Sequence, residues 1–223
     1  MKILCIAKNY PDHAVEMAKA SSARVDSEAA AQVAAPQPQN RPEPVFFLKP
    51  DSALLQKNMP FFYPDFSQDV NYELEVVVRI DKVGKSIEER FAHKYYSEVA
   101  LGIDFTARDI QKKAKEAGRP WALSKGFDGS AVLSEFVPLS ELGKTIDNLD
   151  FYLLHNGEKV QVGNTSQMIH SVDRQIAYVS QFMTLKTGDL IYTGTPSGVG
   201  PVKIGDTLEG VLEGRPMLEC RIK

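Results

Sequence analysis

The stretch Tyr72-Glu73-Leu74-Glu75-Val76-Val77-Val78 constrains this chain more than any other. Leu74, Val76, Val77, Val78 and Ile80 make it a β-strand, because β-branched and bulky apolar side chains pack best on a pleated surface. Side chains alternate faces along a strand, so Glu73 and Glu75 project the same way, about 6–7 Å apart along the chain. Two carboxylates on one face of an apolar strand repel, and burying them without a counter-charge is costly. Two arrangements answer this: a sheet edge with both charges in water, or a cation between them. A third carboxylate, Asp104, ends a second apolar run, Val99-Ala100-Leu101-Gly102-Ile103. If the two strands are neighbours, Glu73, Glu75 and Asp104 form a three-carboxylate site. All-oxygen ligands favour a hard ion, Mg²⁺ first, then Mn²⁺ or Ca²⁺.

The remaining sequence narrows the class. A chain of 223 residues with 43% hydrophobic and 25% charged residues can build a sizeable core, in one large domain or two small ones. The formal net charge of −3 and the lack of a Lys/Arg cluster argue against a nucleic-acid partner. No apolar run approaches membrane-spanning length. The opening residues 1–7 are too short an apolar run for a signal peptide and read as a first strand. Cys5 and Cys220 lack metal-ligand or redox spacing; the reading is a reduced cytosolic pair rather than a terminal staple, and a cytoplasmic protein.

After the first strand, Asn9 or Asp12 caps a helix with Pro11 in its first turn. His13 and Glu16 then share a face, and a carboxylate beside an imidazole orients it as a general base. A surface helix carries such a pair equally well. Residues 18–44 are rich in Ala, Ser, Gln and Pro and read as a flexible lid or an insertion without a role. Val45-Phe46-Phe47-Leu48-Lys49-Pro50 is a strand, with Lys49 at its mouth as a site cation or a solvated lysine, and residues 52–70 read as loop. Ser86-Ile87-Glu88-Glu89 is a capping box opening a helix to about Tyr96. Thr106 caps a second helix reaching Ala117, on which Arg108 and Gln111 face the ion and an anionic substrate group, or pair within the helix.

The glycine-rich connector 121–129 holds Lys125, a candidate substrate cation. Residues 151–160 form a hairpin about the Asn156-Gly157 turn, which leaves His155 exposed. A helix from Ser171 buries Ile176, Val179, Phe182 and Met183. Thr193-Gly194-Thr195-Pro196-Ser197-Gly198-Val199-Gly200 suits a loop whose backbone N–H groups bind a carboxylate or phosphate. It is neither a Walker loop nor a dinucleotide fingerprint.

Six of these stretches, in order, resemble the fumarylacetoacetate hydrolase family. They are Asn9-Tyr10 with His13 and Glu16; Phe47-Leu48-Lys49-Pro50; Tyr72-Glu73-Leu74-Glu75; Asp104-Phe105-Thr106-Ala107-Arg108-Asp109 with Gln111; Trp121 with Lys125; and the glycine-rich run 188–200. The resemblance covers nearly the whole chain and points to the short branch without an extra N-terminal domain. It implies an α+β, β-rich fold: a mixed β-sandwich roll with a few flanking helices, one catalytic domain over 1–223 and a homodimer. It further implies Mg²⁺ or Mn²⁺ on Glu73, Glu75 and Asp104, with Ca²⁺ as a substitute in a crystal. His13, Glu16 and Lys125 become catalytic; Arg108, Gln111 and Thr195 become substrate contacts, with Lys49 beside them. The long stretch after Met17 departs from the shorter link of close relatives.

The expected reaction is C–C cleavage of a small 2-oxo acid, by acylpyruvate hydrolysis or oxaloacetate decarboxylation. Enol–keto isomerisation is the alternative, and a catalytically silent carboxylate-binding protein is the rival from another class.

Overall fold

The structure is a computed structural model, described here for residues 1–12 and 42–223. Its strands are β1 (Ile3–Ala7), β2 (Val45–Lys49), β3 (Leu54–Gln56), β4 (Val70–Tyr72), β5 (Leu74–Arg79), β6 (Glu98–Asp104), β7 (Thr106–Ala107), β8 (Ala131–Leu133), β9 (Val137–Pro138), β10 (Asp150–His155), β11 (Glu158–Asn164), β12 (Leu190–Tyr192), β13 (Gly200–Pro201), β14 (Thr207–Leu212) and β15 (Arg215–Arg221). The helices are α1 (Glu89–Ala92), α2 (Arg108–Glu116), α3 (Ala122–Lys125), α4 (Leu139–Leu142) and α5 (Val172–Phe182).

The largest sheet runs β2-β1-β12-β5-β6-β8-β3, with β9 also on β6. A second sheet, β11-β10-β14-β15, packs against it; a third is the small β13-β4-β7. Few helices and a curled, strand-rich body make this the mixed α+β fold that the sequence predicts.

β5 and β6 are central and antiparallel, in the register Leu74↔Ile103, Val76↔Leu101 and Val78↔Val99. Those pairs face the second sheet and form the main core with Phe151, Leu153, Leu208, Leu212 and Leu218. The alternate pairs, Glu75↔Gly102 and Val77↔Ala100, face the other way. There Ile3, Cys5, Val77, Ala100, Ala131 and Tyr192 form a second buried cluster. Burial on both faces explains the unbroken Val76-Val77-Val78 run.

The organising strand is not continuous. β4 belongs to the small sheet and β5 to the large one, with Glu73 at the junction. The neighbouring strand makes the same change between β6 and β7, at Phe105. Because both strands switch sheets at one level, the ribbon bends there, and Glu73 and Asp104 meet at the bend; Asp104 N–H donates to Glu73 C=O at 2.9 Å.

Other local expectations are corrected. The 86–89 capping box yields only the four-residue α1, with Glu88 at its N-cap and no side-chain cap; Ser86 instead adopts φ 52° and its N–H donates to Ser180 C=O. Thr106 lies in β7, so α2 starts at Arg108 without a side-chain cap. The short β3 lies in the stretch expected as loop, and α3 in the glycine-rich connector. His155 is not exposed: its Nε2 is 2.8 Å from Asp206 Oδ2 and its ring meets Tyr72 edge-on. In α5, capped by Ser171 as predicted, Ile176 and Val179 are buried but Phe182 is 59% exposed, beyond the reach of the core. The hairpin holds, with Asn156 at φ 53° and Gly157 at φ 82°. Cys5 and Cys220 are both buried and free. Among the described residues no helix is long and apolar enough to cross a membrane.

Candidate active site

Glu73, Glu75 and Asp104 converge at the ribbon bend. One carboxylate oxygen from each lies within 4.8 Å of the others, and all three residues are buried. At that separation two unit charges repel by about 3–4 kcal/mol at an effective dielectric near 20. The scaffold answers with cations and N–H groups. Lys125, brought in by α3, donates from Nζ to Glu73 Oε2 at 2.8 Å and to Asp104 Oδ2 at 2.6 Å. Arg108, the first residue of α2, reaches Glu73 Oε1 with Nη2 at 2.5 Å and Gln111 Oε1 with Nη1 at 2.9 Å. Lys49 Nζ sits 2.7 Å from Asp104 Oδ1 while its hydrogen bonds go to the carbonyls of Ser130 and Phe105.

Glu75 is treated differently. Its Oε2 accepts from Gly194 N–H at 2.8 Å, and among the described residues no cation makes an ion pair with it. Burial, then the charges of Asp104 and Glu73, push its carboxyl well above the usual range; Gly194 N–H and Lys125 only partly offset this. Lys125 shows the opposite balance: burial alone would lower it, but Asp104 and Glu73 hold it above the ordinary lysine value, so it remains an ammonium.

The donor set suits a hard divalent ion: three oxygen ligands, a separation that a small cation can close, and one oxygen still in need of a partner. Asp104 Oδ1 is that oxygen: it is buried without a hydrogen bond among the described residues and faces only the Lys49 ammonium, 2.7 Å away, two of whose three N–H groups go to backbone carbonyls. The triad can therefore hold a metal ion.

The predicted residues divide into three groups. Glu73, Glu75, Asp104, Arg108, Gln111, Lys125 and Thr195 line one cleft, together with Phe47, Trp121, Lys8 and Lys115. Lys49 does not line it; it lies behind Asp104 and braces that carboxylate from below. Thr195 reaches the cleft, but its hydroxyl donates to Leu74 C=O at 2.8 Å and accepts from Gln161 Nε2. His13 and Glu16, and most of the expected lid, lie outside the described residues.

Several residues take roles at the site that their place in the sequence did not show. Gln161 binds both the N–H of Leu74, beside Glu73, and the carbonyl of Pro196. Asn9, read as a helix cap, is a buried latch: its Nδ2 donates to Thr193 C=O at 2.7 Å and His170 C=O at 3.1 Å, and its Oδ1 accepts from His170 N–H at 2.8 Å. It thereby holds the Thr193–Gly194 turn that serves Glu75. Gly194 has φ +100°, and a Cβ there would lie 2.6 Å from Asn9 Cβ, so only glycine fits. Tyr10 is buried edge-on to Phe151, its hydroxyl without a hydrogen bond among the described residues and raised by burial and by Glu75.

The model of the fumarylacetoacetate (FAA) hydrolase C-terminal region matches residues 2–223. The chain belongs to the fumarylacetoacetate hydrolase family. This family member is 40% identical over 221 residues to the mitochondrial oxaloacetate tautomerase of Bos taurus, covering 99% of this chain and 91% of that one. It is 39% identical over 209 residues to the mitochondrial oxaloacetate decarboxylase of Dictyostelium discoideum, covering 93% and 87%. Its fold matches fumarylpyruvate hydrolase from Pseudomonas aeruginosa, crystallised with Mn²⁺ and pyruvate, with a TM-score of 0.85 at 33% identity, covering 100% and 89%. Relatives with these names are enzymes of small oxo acids, and so is this protein at that level of description.

Proposed function

We propose that the protein is a Mg²⁺- or Mn²⁺-dependent enzyme that cleaves a C–C bond in a small 2-oxo acid, as an oxaloacetate decarboxylase or acylpyruvate hydrolase. The observation that carries this is the buried Glu73/Glu75/Asp104 triad opening into a cleft with Lys125 and Arg108 on its wall. A bound divalent ion would supply Lewis-acid charge where an enolate oxygen develops. Everything else falls to the chain's own side chains.

Lys125, kept protonated, presents positive charge and N–H donors to the same oxygen and is not a base. Arg108, oriented by Gln111 and Glu73, offers its planar fork to a substrate carboxylate. Phe47 and Trp121, packed edge-on with centroids 6.0 Å apart, give the cleft an apolar wall that limits water. For hydrolysis, the base that activates water is assigned to His13, oriented by Glu16, on the resemblance alone.

The relatives named oxaloacetate tautomerase favour a second reading, enol–keto interconversion. It needs the same stabilised enolate and only a proton carrier in addition. One panel separates them: oxaloacetate, acetylpyruvate and fumarylpyruvate, each with Mg²⁺, Mn²⁺ or EDTA, following pyruvate release and enol absorbance together. EDTA-sensitive pyruvate release supports cleavage. Enol decay without pyruvate supports tautomerisation. No metal-dependent change in any substrate would make the protein a silent carboxylate binder.

A further inference from the structure

β11, the outer strand of the second sheet, inverts the usual pattern of a half-buried strand. It turns Gln161 into the protein, 1% exposed, and Val162 outward, 64% exposed. A primary amide is costly to bury unless its donors and its acceptor are paired. Gln161 is paired at both ends of the amide: Oε1 accepts from Leu74 N–H at 2.9 Å, and Nε2 donates to Thr195 Oγ1 and to Pro196 C=O, each at 2.9 Å. These partners fix the orientation of the amide, because an N–H can meet only its oxygen and a carbonyl only its nitrogen. Thr195 closes the arrangement into a ring by donating its hydroxyl to Leu74 C=O at 2.8 Å.

The ring sits where the large sheet runs out. Alternate residues of β5 turn their backbone groups away from β6 and toward β12. β12 ends at Tyr192, opposite Val77, and Thr193 N–H makes the last ladder contact, on Val76 C=O at 3.1 Å. Beyond it, among the described residues, no strand flanks Leu74 on that side, and the side chains of Gln161 and Thr195 take the strand's place. Leu74 lies between Glu73 and Glu75, so any shift of its backbone moves two of the three triad carboxylates at once. At the same level the glycine-rich loop lies flat on β11: a Cβ on Gly198 would fall 2.1 Å from the carbonyl oxygen of Val160, and one on Gly163 would fall 3.0 Å from Pro196 Cγ. Gln161 joins that contact to the break in the ribbon.

We propose that Gln161 is a positioning residue: it holds Leu74 by both backbone groups, directly and through Thr195, and so sets the spacing at which Glu73 and Glu75 grip a divalent ion with Asp104. The inference rests on the reading of the triad as a metal site. It gives the second sheet a part in that site which packing alone does not require, since a leucine or methionine at this position would fill the same space with apolar atoms. Thr195 serves the same brace, because its hydroxyl hydrogen goes to Leu74 C=O.

The test is titration of the metal-free protein with Mn²⁺, read by electron paramagnetic resonance of the free and the bound ion, beside thermal unfolding of the same samples. Gln161→Met keeps the length of the side chain and drops its three hydrogen bonds. Thr195→Val keeps shape and drops the hydroxyl. Each should weaken Mn²⁺ binding about tenfold and broaden the spectrum of the bound ion. The double variant should lose little more than the worse single one, because both break one ring. Leu153→Ala is the control, since Leu153 lies opposite Gln161 in the β10–β11 ladder and belongs to the main core. It should lower Tm at least as far as Gln161→Met, with Mn²⁺ affinity within about twofold of wild type. A lower Tm with unchanged affinity and spectrum in Gln161→Met, or an equal loss of affinity in Leu153→Ala, would make Gln161 a core residue only and overturn the proposal. If Gln161→Met does not fold, Thr195→Val decides alone: a tenfold loss supports the brace, and unchanged Mn²⁺ binding overturns it. No Mn²⁺ binding by the wild type would sink the metal reading and the proposal with it, whereas binding by the wild type that no variant alters sinks the proposal alone.

Discussion

Two acid–cation clusters in this molecule share nearly the same distances and mean different things. On the surface, Lys144 Nζ lies 3.1 Å from Asp150 and 2.8 Å from Glu213, and Asn164 donates to Asp150 at 2.7 Å. In the cleft, Lys125 lies 2.8 Å from Glu73 and 2.6 Å from Asp104. Asp150 is 67% exposed, whereas Asp104 is 1% exposed. Water completes the shell of every surface carboxylate, so that network needs nothing further. The cleft cannot use bulk water, and among the described residues it leaves Glu75 without an ion pair and one oxygen of Asp104 without a hydrogen bond. Short contacts do not mark a site; buried acids left short of partners do.

The largest effects are expected from the buried cluster. Asp104→Asn and Glu73→Gln each remove one ligand charge while keeping shape. Each should abolish EDTA-sensitive turnover and weaken Mn²⁺ binding by about 100-fold or more, read by electron paramagnetic resonance of free Mn²⁺. Retained metal-dependent turnover in either would end the contrast with the surface cluster, because the acids would then be structural in both.

Glu75 gives the next effect, and its sign is diagnostic. Its carboxyl sits above the ordinary 4.5 in the folded protein, so protonation stabilises the fold. That contribution is fully present below the unfolded value and is lost as pH rises through the raised one. The metal-free protein should therefore lose thermal stability as pH climbs from about 4.5 toward neutrality, and Mn²⁺ should flatten the slope. Glu75→Gln keeps an acceptor for Gly194 N–H and should raise the metal-free Tm by several degrees, on the order of 1–3 kcal/mol, at pH 7. The opposite pH slope in EDTA would show that the burden of charge lies elsewhere.

Asn9→Ala should follow, at about 2–3 kcal/mol of stability for the stranded carbonyls and about tenfold in Mn²⁺ affinity through the loosened Gly194 turn. Loss of stability with unchanged Mn²⁺ affinity would make Asn9 structural alone. This residue also marks where sequence reading stops. The apolar runs, the Asn156-Gly157 turn, the Ser171 cap and the shared face of Glu73 and Glu75 follow from local chemistry and period, whereas Asp104 joins them only through the pairing of two strands, which the family resemblance implied. The break at Glu73 does not follow from local chemistry either, because a strand that changes sheets keeps the same alternation. Ser86 failed as a cap because its backbone sits at φ 52°, two residues before the Glu88 N-cap, with its N–H on Ser180, almost a hundred residues away in sequence. Asn9, Gln161 and Lys115 are ordinary polar residues until the fold sets Asn9 against Thr193, Gln161 against Leu74 and Lys115 on the cleft wall. The acids were legible because charged side chains on an apolar strand contradict their surroundings in the sequence; the residues that support them contradict nothing.

The smallest expected effect sharpens the comparison from the other side. Lys144→Ala removes the cation that joins Asp150 to Glu213, at distances matching those of Lys125. Asp150 keeps Asn164 as a donor, and Glu213 keeps the backbone N–H of Asp150. Water replaces the ammonium at both acids, and salt already screens the pair. Thermal unfolding of this variant should coincide with the wild type at physiological ionic strength, with Mn²⁺ affinity and turnover unchanged. Lys125→Ala, by contrast, removes the ammonium shared by two buried carboxylates, where no bulk water replaces it, and should lower both stability and turnover. A Lys144→Ala loss comparable to that of Lys125→Ala would mean that contact distance, and not the supply of water, sets the worth of these ion pairs.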